Sequence, residues 1–304
     1  MADGSLSRVL VTGGAGFIGR PVVRALLDQG HEVTTADKHA SSDQRVRSVV
    51  GDLCDPAVIA DAVSPPTDVI IHLAAVTSVL RSMQDPAGTF RLNVEATAAL
   101  LEQARQRGVG TFLLASTNAV TGDVGSATIT ERLPLSPLTP YGATKAAAEM
   151  LLAGYVSSYG LHGAALRFSS VYGPGMEAKD SFVPRLMRAA RDGKSVQVYG
   201  DGTQLRDLVH VDDLVTGIFA AWRAGHDGPL VLGSGESVTV NEIVDAARSV
   251  TGAEIPVEHV PAKPGEMPAV IIDISAARSL GHQPRYDLKA GIATMWPEFS
   301  ETAK

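Results

Sequence analysis

The sequence holds a single cysteine, Cys54, so it has no internal disulfide framework, and a reducing compartment is expected. Cys54 follows Gly51-Asp52-Leu53 with no histidine close to it in sequence, which reads as a structural thiol rather than a nucleophile. The eight histidines are scattered, without a His-x-x-x-His pair or a Cys/His cluster, so no metal is expected. There is no basic run, and the formal net charge of -7 excludes the electropositive footprint of a nucleic-acid-binding protein. No apolar run approaches the ~18 residues that span a bilayer. Met1 to Arg8 lack the charged-then-apolar order of a signal peptide. A cytoplasmic protein with no nucleic-acid or membrane partner is the expectation. Repeats, low-complexity tracts and flexible linkers are also missing.

What is present is an ordinary globular composition, 45% hydrophobic and 19% charged over 304 residues, enough to bury a large core. Short β-branched and apolar runs alternate with helical patterns. Strands are predicted over Arg8–Thr12, His31–Ala36, Arg45–Val50, Val69–Leu73, Thr111–Ala115 and Gly163–Phe168. Helices are predicted over Phe17–Leu27, Pro56–Val63, Pro86–Arg107 and Tyr141–Tyr159. Such alternation needs crossover connections and implies an α/β fold, a doubly wound parallel sheet with helices on both faces. Beyond about Val171, glycines and prolines become frequent and elements shorten, as at Ser195–Tyr199 and Leu230–Leu232. The predicted organisation is a dinucleotide-binding domain over 1–170 and a smaller, irregular α/β lobe covering substrate over 171–304, with the chain free to cross back. A cleft outside the carboxyl ends of the strands would serve both.

Thr12-Gly-Gly-Ala-Gly-Phe-Ile-Gly19 lies between a predicted strand and a predicted helix. Glycines at 13, 16 and 19 suit a tight turn, close approach of backbone to a pyrophosphate, and close packing of helix on sheet. The helix opening there directs unpaired N–H groups and the positive end of its dipole at phosphate. Eighteen residues past Gly19, Asp37 ends the second strand, where a carboxylate accepts from ribose hydroxyls and repels a 2′-phosphate. The pattern predicts NAD rather than NADP.

Tyr141 and Lys145 stand four apart in a predicted helix and so share one face. The spacing predicts that the ammonium lowers the phenol pKa from about 10, letting it take a proton from a substrate hydroxyl near neutral pH. Alone, the pair also fits a surface tyrosine beside an ion-paired lysine.

The glycine turn, His72-Leu-Ala-Ala75, Asn93, Ser116-Thr117, Tyr141-x-x-x-Lys145 and Arg167-Phe-Ser-Ser-Val-Tyr-Gly-Pro174 resemble, in order and over nearly the whole chain, the motifs of extended short-chain dehydrogenase/reductases. Within that group the resemblance is to the nucleotide-sugar epimerase/dehydratase family, and it implies a Rossmann domain. It also implies that Thr117 hydrogen-bonds the reacting sugar oxygen beside Tyr141, while Lys145 holds the nicotinamide ribose. Gly13, Gly16, Phe17, Ile18 and Gly19 would cradle the cofactor. Asp52 and Leu53 resemble the adenine-contacting pair, and Leu73, Ala74 and Ala75 the segment over which the cofactor passes. Asn93 resembles a helix asparagine ordering water near the lysine. Val198 to Asp213 resembles the stretch that grips the nucleotide-sugar diphosphate, with Arg206 as its arginine. Asp212 also suits the cap of a helix beginning at Asp213, and Thr117 is otherwise a strand-end threonine.

Departures from that family narrow the expected chemistry. Where the sugar 4,6-dehydratases read Thr-Asp-Glu, this chain reads Thr117-Asn118-Ala119. An amide and a methyl cannot act as an acid/base pair, so dehydration should be lost. Ala119 also counts against decarboxylation. Ser170 replaces a diphosphate-contacting asparagine, and Lys263, in Lys263-Pro-Gly-Glu266, replaces an arginine with a point charge; Lys263 and Glu266 complete the expected substrate site. The resemblance then implies an isomerase, an NAD-dependent 4-epimerase acting on a UDP- or dTDP-hexose. The alternatives are a nucleotide-sugar reductase or dehydrogenase with net redox change, and a non-enzymatic dinucleotide sensor, which has no need of Tyr141 with Lys145. Alanine- and leucine-rich faces on Pro86–Arg107 and Tyr141–Tyr159 lead, through the resemblance, to an expected homodimer built on a four-helix bundle.

Overall fold

The computed structural model describes residues 6–64, 66–261 and 268–300. Seven parallel strands form the central sheet. The first five in chain order are β1 (Arg8–Thr12), β2 (Glu32–Asp37), β3 (Arg47–Val50), β4 (Val69–His72) and β5 (Thr111–Thr117). Across the sheet the order runs Gly228–Leu232, His162–Phe168, β5, β4, β1, β2, β3. Strand order therefore reverses between β1 and β4, which pair in parallel with Thr12 opposite His72. A crevice opens at the carboxyl ends of strands at such a reversal.

Helices cover both faces, which is why β4 opens on the apolar run Val69–Ile71 and is buried throughout. On one face Val22 and Leu26, one turn apart on the helix Gly19–Asp28, pack with Leu214 and Ile218 of the helix Val211–Arg223. On the other, Ile59, Leu100, Leu101 and Leu152 meet Leu10, Ile70 and Leu114 of the sheet. Each fully buried Leu or Ile of this kind contributes about 1.5–3 kcal/mol.

The doubly wound sheet is as expected, with three differences in detail. The helix predicted over Pro86–Arg107 is interrupted: α-helical turns at Pro86–Phe90 and Ala96–Arg107 flank a π-turn at Arg91–Glu95. The wider turn carries Asn93 inward, where its amide accepts from the Val76 N–H at 2.8 Å and donates to the Val76 carbonyl and Thr144 Oγ1. A short helix not foreseen, Val79–Gln84, starts at Ser78, whose hydroxyl accepts from the Arg81 N–H. Thirdly, the apolar run at Leu230–Leu232 is the outermost strand of the large sheet, pairing with His162–Phe168.

The remaining elements form a second layer. Ser170–Tyr172, Leu205–His210 and Ser237–Thr239 make a three-stranded sheet, and Val196–Tyr199 pairs in parallel with Val257–Val260. Helices Phe182–Asp192, Val240–Thr251 and Leu288–Ser300 pack around Leu186, Ile243, Ile292 and Phe299. Asp212 does not cap the helix after it: the cap of Val211–Arg223 is His210, whose Nδ1 accepts from the Asp212 N–H. Among the described residues, no helix is long and apolar enough to cross a membrane, and no three His, Cys, Asp or Glu side chains converge as a metal site.

Candidate active site

At the strand-order reversal lies a cavity of about 610 Å³, walled by the glycine turn, the ends of β2 and β4, and the start of the helix Pro140–Tyr159. It is lined by Gly13, Gly16, Phe17, Ile18, Gly19, Asp37, Leu53, Leu73, Ala74 and Ala75 from the cofactor set, and by Thr117, Tyr141 and Ser170 from the reaction set. Gly13 and Gly19 leave no room for a side chain. Gly13 has φ +71°, and a Cβ there would press to 2.8 Å from the Ala74 nitrogen; one at Gly19 would overlap the Gly13 carbonyl. This bare backbone at the start of Gly19–Asp28 is the cradle a pyrophosphate requires. Asp37 stands beside it, one carboxylate oxygen accepting from the Ala15 N–H and the other from the His39 N–H, both at 3.1 Å. The residues present thus fit a dinucleotide.

Three expected cofactor residues stand outside the cavity lining. Asp52 turns away to pair with Lys38 at 3.0 Å and to accept from the Cys54 N–H, which with Lys38 holds its carboxyl below the usual range. Asn93 is buried and spent on Val76 and Thr144, tying the segment after β4 to the helix of Tyr141. Lys145 is buried beneath the wall and donates to the Ala115 carbonyl at 2.9 Å.

The helix Pro140–Tyr159 begins where its sequence dictates. Thr139 accepts from the Gly142 N–H, Pro140 occupies the first turn, and Ser82 Oγ accepts from the Tyr141 N–H. Gly142 permits close packing, since a Cβ there would sit 2.8 Å from the Ala119 carbonyl. Tyr141 and Thr117 line the same cavity. The expected acidification of Tyr141 by Lys145 is not what the protein alone produces. Burial pushes the phenol up, opposed only by the Thr117 side chain, while the ammonium is turned onto Ala115. Burial likewise pulls Lys145 down to about 8, with Glu149 opposing that shift. His72, at the end of β4, is buried between Thr12 Oγ1 at 2.6 Å and Thr97 Oγ1 at 2.9 Å, and burial lowers it to about 3. It is neutral and structural.

A second cavity, of about 210 Å³, shares Ser170, Val171 and Ser181 with the first and extends between Arg185, Tyr199 and Arg206. Arg206 lines the smaller cavity, which adjoins the larger one at Ser170. Lys263 and Glu266 lie outside the described residues. Among the described residues lining either cavity, the one carboxylate is Asp37, at the glycine-turn end.

Some participants were not foreseen. Ser169 and Met176 line the larger cavity, and Arg185 the smaller; they come from loops and a helix whose placement depends on the second layer. Glu149 and Arg167 form a buried ion pair at 2.8 Å, and the Ser116 hydroxyl donates to Glu149. Glu149 repeats the four-residue step from Tyr141 to Lys145, a signal present in the sequence.

A glycine-turn cradle facing a Tyr-x-x-x-Lys helix across one cavity is the arrangement of a dinucleotide-dependent enzyme. Residues 9–233 match the pattern of the NAD dependent epimerase/dehydratase family, and the chain belongs to that family. Among its relatives is dTDP-glucose 4,6-dehydratase of Streptomyces griseus, 34% identical over 94% of this chain and 92% of that one. Among solved structures, UDP-glucose 4-epimerase of Thermotoga maritima with UDP-glucose superimposes with a TM-score of 0.92, at 30% identity over 98% of this chain and 100% of that one. The UDP-glucose 4-epimerase of Thermus thermophilus in complex with NAD gives 0.87, at 32% identity over 96% and 98%. NAD, expected from the glycine turn and Asp37, is the cofactor of this family.

Proposed function

We propose that the chain is an NAD-dependent nucleotide-sugar 4-epimerase. The observation that carries this reading over dehydration is the absence of any carboxylate lining the Tyr141 end of the cavity among the described residues, with Asn118 and Ala119 following Thr117. Elimination of water needs a positioned acid and base at that end; epimerisation does not. The fold supports the same division of labour in space. Gly13, Gly16, Gly19, Asp37 and Leu53 would hold the cofactor, Arg206 and Ser170 the diphosphate, with Lys263 joining them. When bound, NAD supplies a reversible two-electron acceptor bearing a positive pyridinium charge.

The chain's own residues then have these tasks. Tyr141 takes the 4-hydroxyl proton, Thr117 hydrogen-bonds the same oxygen, and Lys145 supplies a buried positive charge on the same helix face. Binding energy at Arg206 retains the 4-keto sugar while it turns over, and Tyr141 returns the proton to the same 4-oxygen as C4 is re-reduced from the other face.

A homodimer and a cytoplasmic location belong to this proposal. Leu80, Met83, Phe90, Met150 and Tyr159 are exposed on Val79–Gln84, Pro86–Phe90 and Pro140–Tyr159, an apolar set suited to a second copy. Cys54 is unpaired. The deciding experiment incubates purified protein with UDP- and dTDP-sugars and follows products by proton NMR. The expected outcome is a C4-epimer mixture with no NADH accumulating. A 4-keto-6-deoxy product, or NADH formed mole for mole with sugar, would overturn the reading.

A further inference from the structure

The helix Phe182–Asp192 carries three arginines, and two of them are engaged away from both cavities. Arg188 Nη1 donates to the Glu177 and Lys179 carbonyls at 2.7 and 2.8 Å, and Arg191 pairs with Asp192 at 2.7 Å. Arg185 lines the smaller cavity instead. Its backbone N–H donates to the Ser181 carbonyl one turn earlier, and Ser181 lines both cavities, so Arg185 is held one helical turn from the seam between them. The Arg185 Nε is buried and, among the described residues, has no hydrogen-bond acceptor. Asp180 stands 3.9 Å from that nitrogen, but its side chain is 83% exposed and water screens the attraction. A buried donor without an acceptor calls for a partner that the chain does not supply. Arg206 lines the same cavity, and no carboxylate among the described residues lines it with them.

We propose that Arg185 is a second arginine for the substrate's diphosphate, working beside Arg206 from the helix Phe182–Asp192. The inference deepens the nucleotide-sugar reading and rests on it. Two guanidinium groups lining a cavity of about 210 Å³ repel one another unless a ligand brings compensating charge. A neutral base or ribose brings none. A diphosphate esterified at both ends carries two negative charges, one for each arginine, and the planar fork of arginine meets phosphate oxygens with two donors at once. The cofactor's pyrophosphate is the poorer match, because its cradle, Gly13 to Gly19, lines the larger cavity and not the smaller. A grip on phosphate is blind to the base. Arg185 would therefore serve UDP- and dTDP-sugars alike, and discrimination between them falls to other groups.

The test measures binding to the full chain by titration calorimetry, with UDP, dTDP and NAD as probes, in the parent, Arg185→Gln and Arg185→Lys. Arg185→Gln should weaken UDP and dTDP by about tenfold or more, by the same factor for each, and leave NAD within roughly twofold. Arg185→Lys keeps the charge without the fork and should fall between the parent and Arg185→Gln; where the glutamine variant does not fold, it carries the same comparison at a smaller factor. UDP and dTDP affinities within roughly twofold of the parent in whichever variant folds, a loss confined to one of the two nucleotides, or an equal loss of NAD would each overturn the inference and leave the epimerase reading in place. A parent that binds neither UDP nor dTDP would overturn the nucleotide-sugar reading and this inference with it.

Discussion

Lys145 and Ala115 are joined across helix and strand, the ammonium donating to the carbonyl oxygen at 2.9 Å. This bond holds the charge within the core at the foot of Tyr141 without a direct ion pair to the phenol. Tyr141→Phe removes the proton acceptor and leaves the packing intact. Turnover of UDP-glucose should fall by about 10²–10⁴-fold. NAD affinity by calorimetry should stay within roughly threefold, since this change takes away no group from the glycine-turn cradle.

The same burial has a stability consequence. Lys145 titrates at its ordinary 10.5 when unfolded and at about 8 when folded. Between those values the unfolded chain binds the additional proton, so stability rises with pH there; below about 8 the cost of the buried charge is present in full. That cost is about 3 kcal/mol by linkage, less about 1 kcal/mol for the bond to Ala115. Lys145→Met should therefore melt roughly 3–5 °C above the parent at pH 7, and the gap should close toward pH 10. Equal melting temperatures at pH 7 would show that the ammonium is better solvated than its burial implies.

Asp37 places its carboxylate beside the glycine turn, where a 2′-phosphate would meet like charge. Asp37→Ser should weaken NAD binding and strengthen NADP binding, moving their ratio by about tenfold or more, or roughly 1.4 kcal/mol. Titration calorimetry with each dinucleotide measures that ratio directly. An unchanged preference would assign discrimination to other residues.

Phe90 and Met150 are about half exposed or more, at 47% and 63%. If they are covered by a second copy, Phe90→Asp/Met150→Asp should convert the dimer to a monomer in light scattering at micromolar concentration, with the NAD cradle intact. A parent protein that is already monomeric at that concentration would refute the dimer.

The sequence by itself determined the features that depend on local backbone or on spacing. Gly13 and Gly19 were legible because a positive φ and a forbidden Cβ are requirements of single residues, and Asp37 because it ends a strand. Tyr141 and Lys145 were legible because a helix brings every fourth residue to one face. What only the tertiary structure decided is what those side chains meet. Asn93 turns inward on a π-turn because Val76 and Thr144, far along the chain, complete its hydrogen bonds. The short apolar run at Leu230–Leu232 carries no mark of its partner, and pairing with His162–Phe168 puts it in the large sheet. The phenol of Tyr141 is shifted upward and the ammonium of Lys145 downward because desolvation is a property of the assembled interior. Spacing alone carries no information about water.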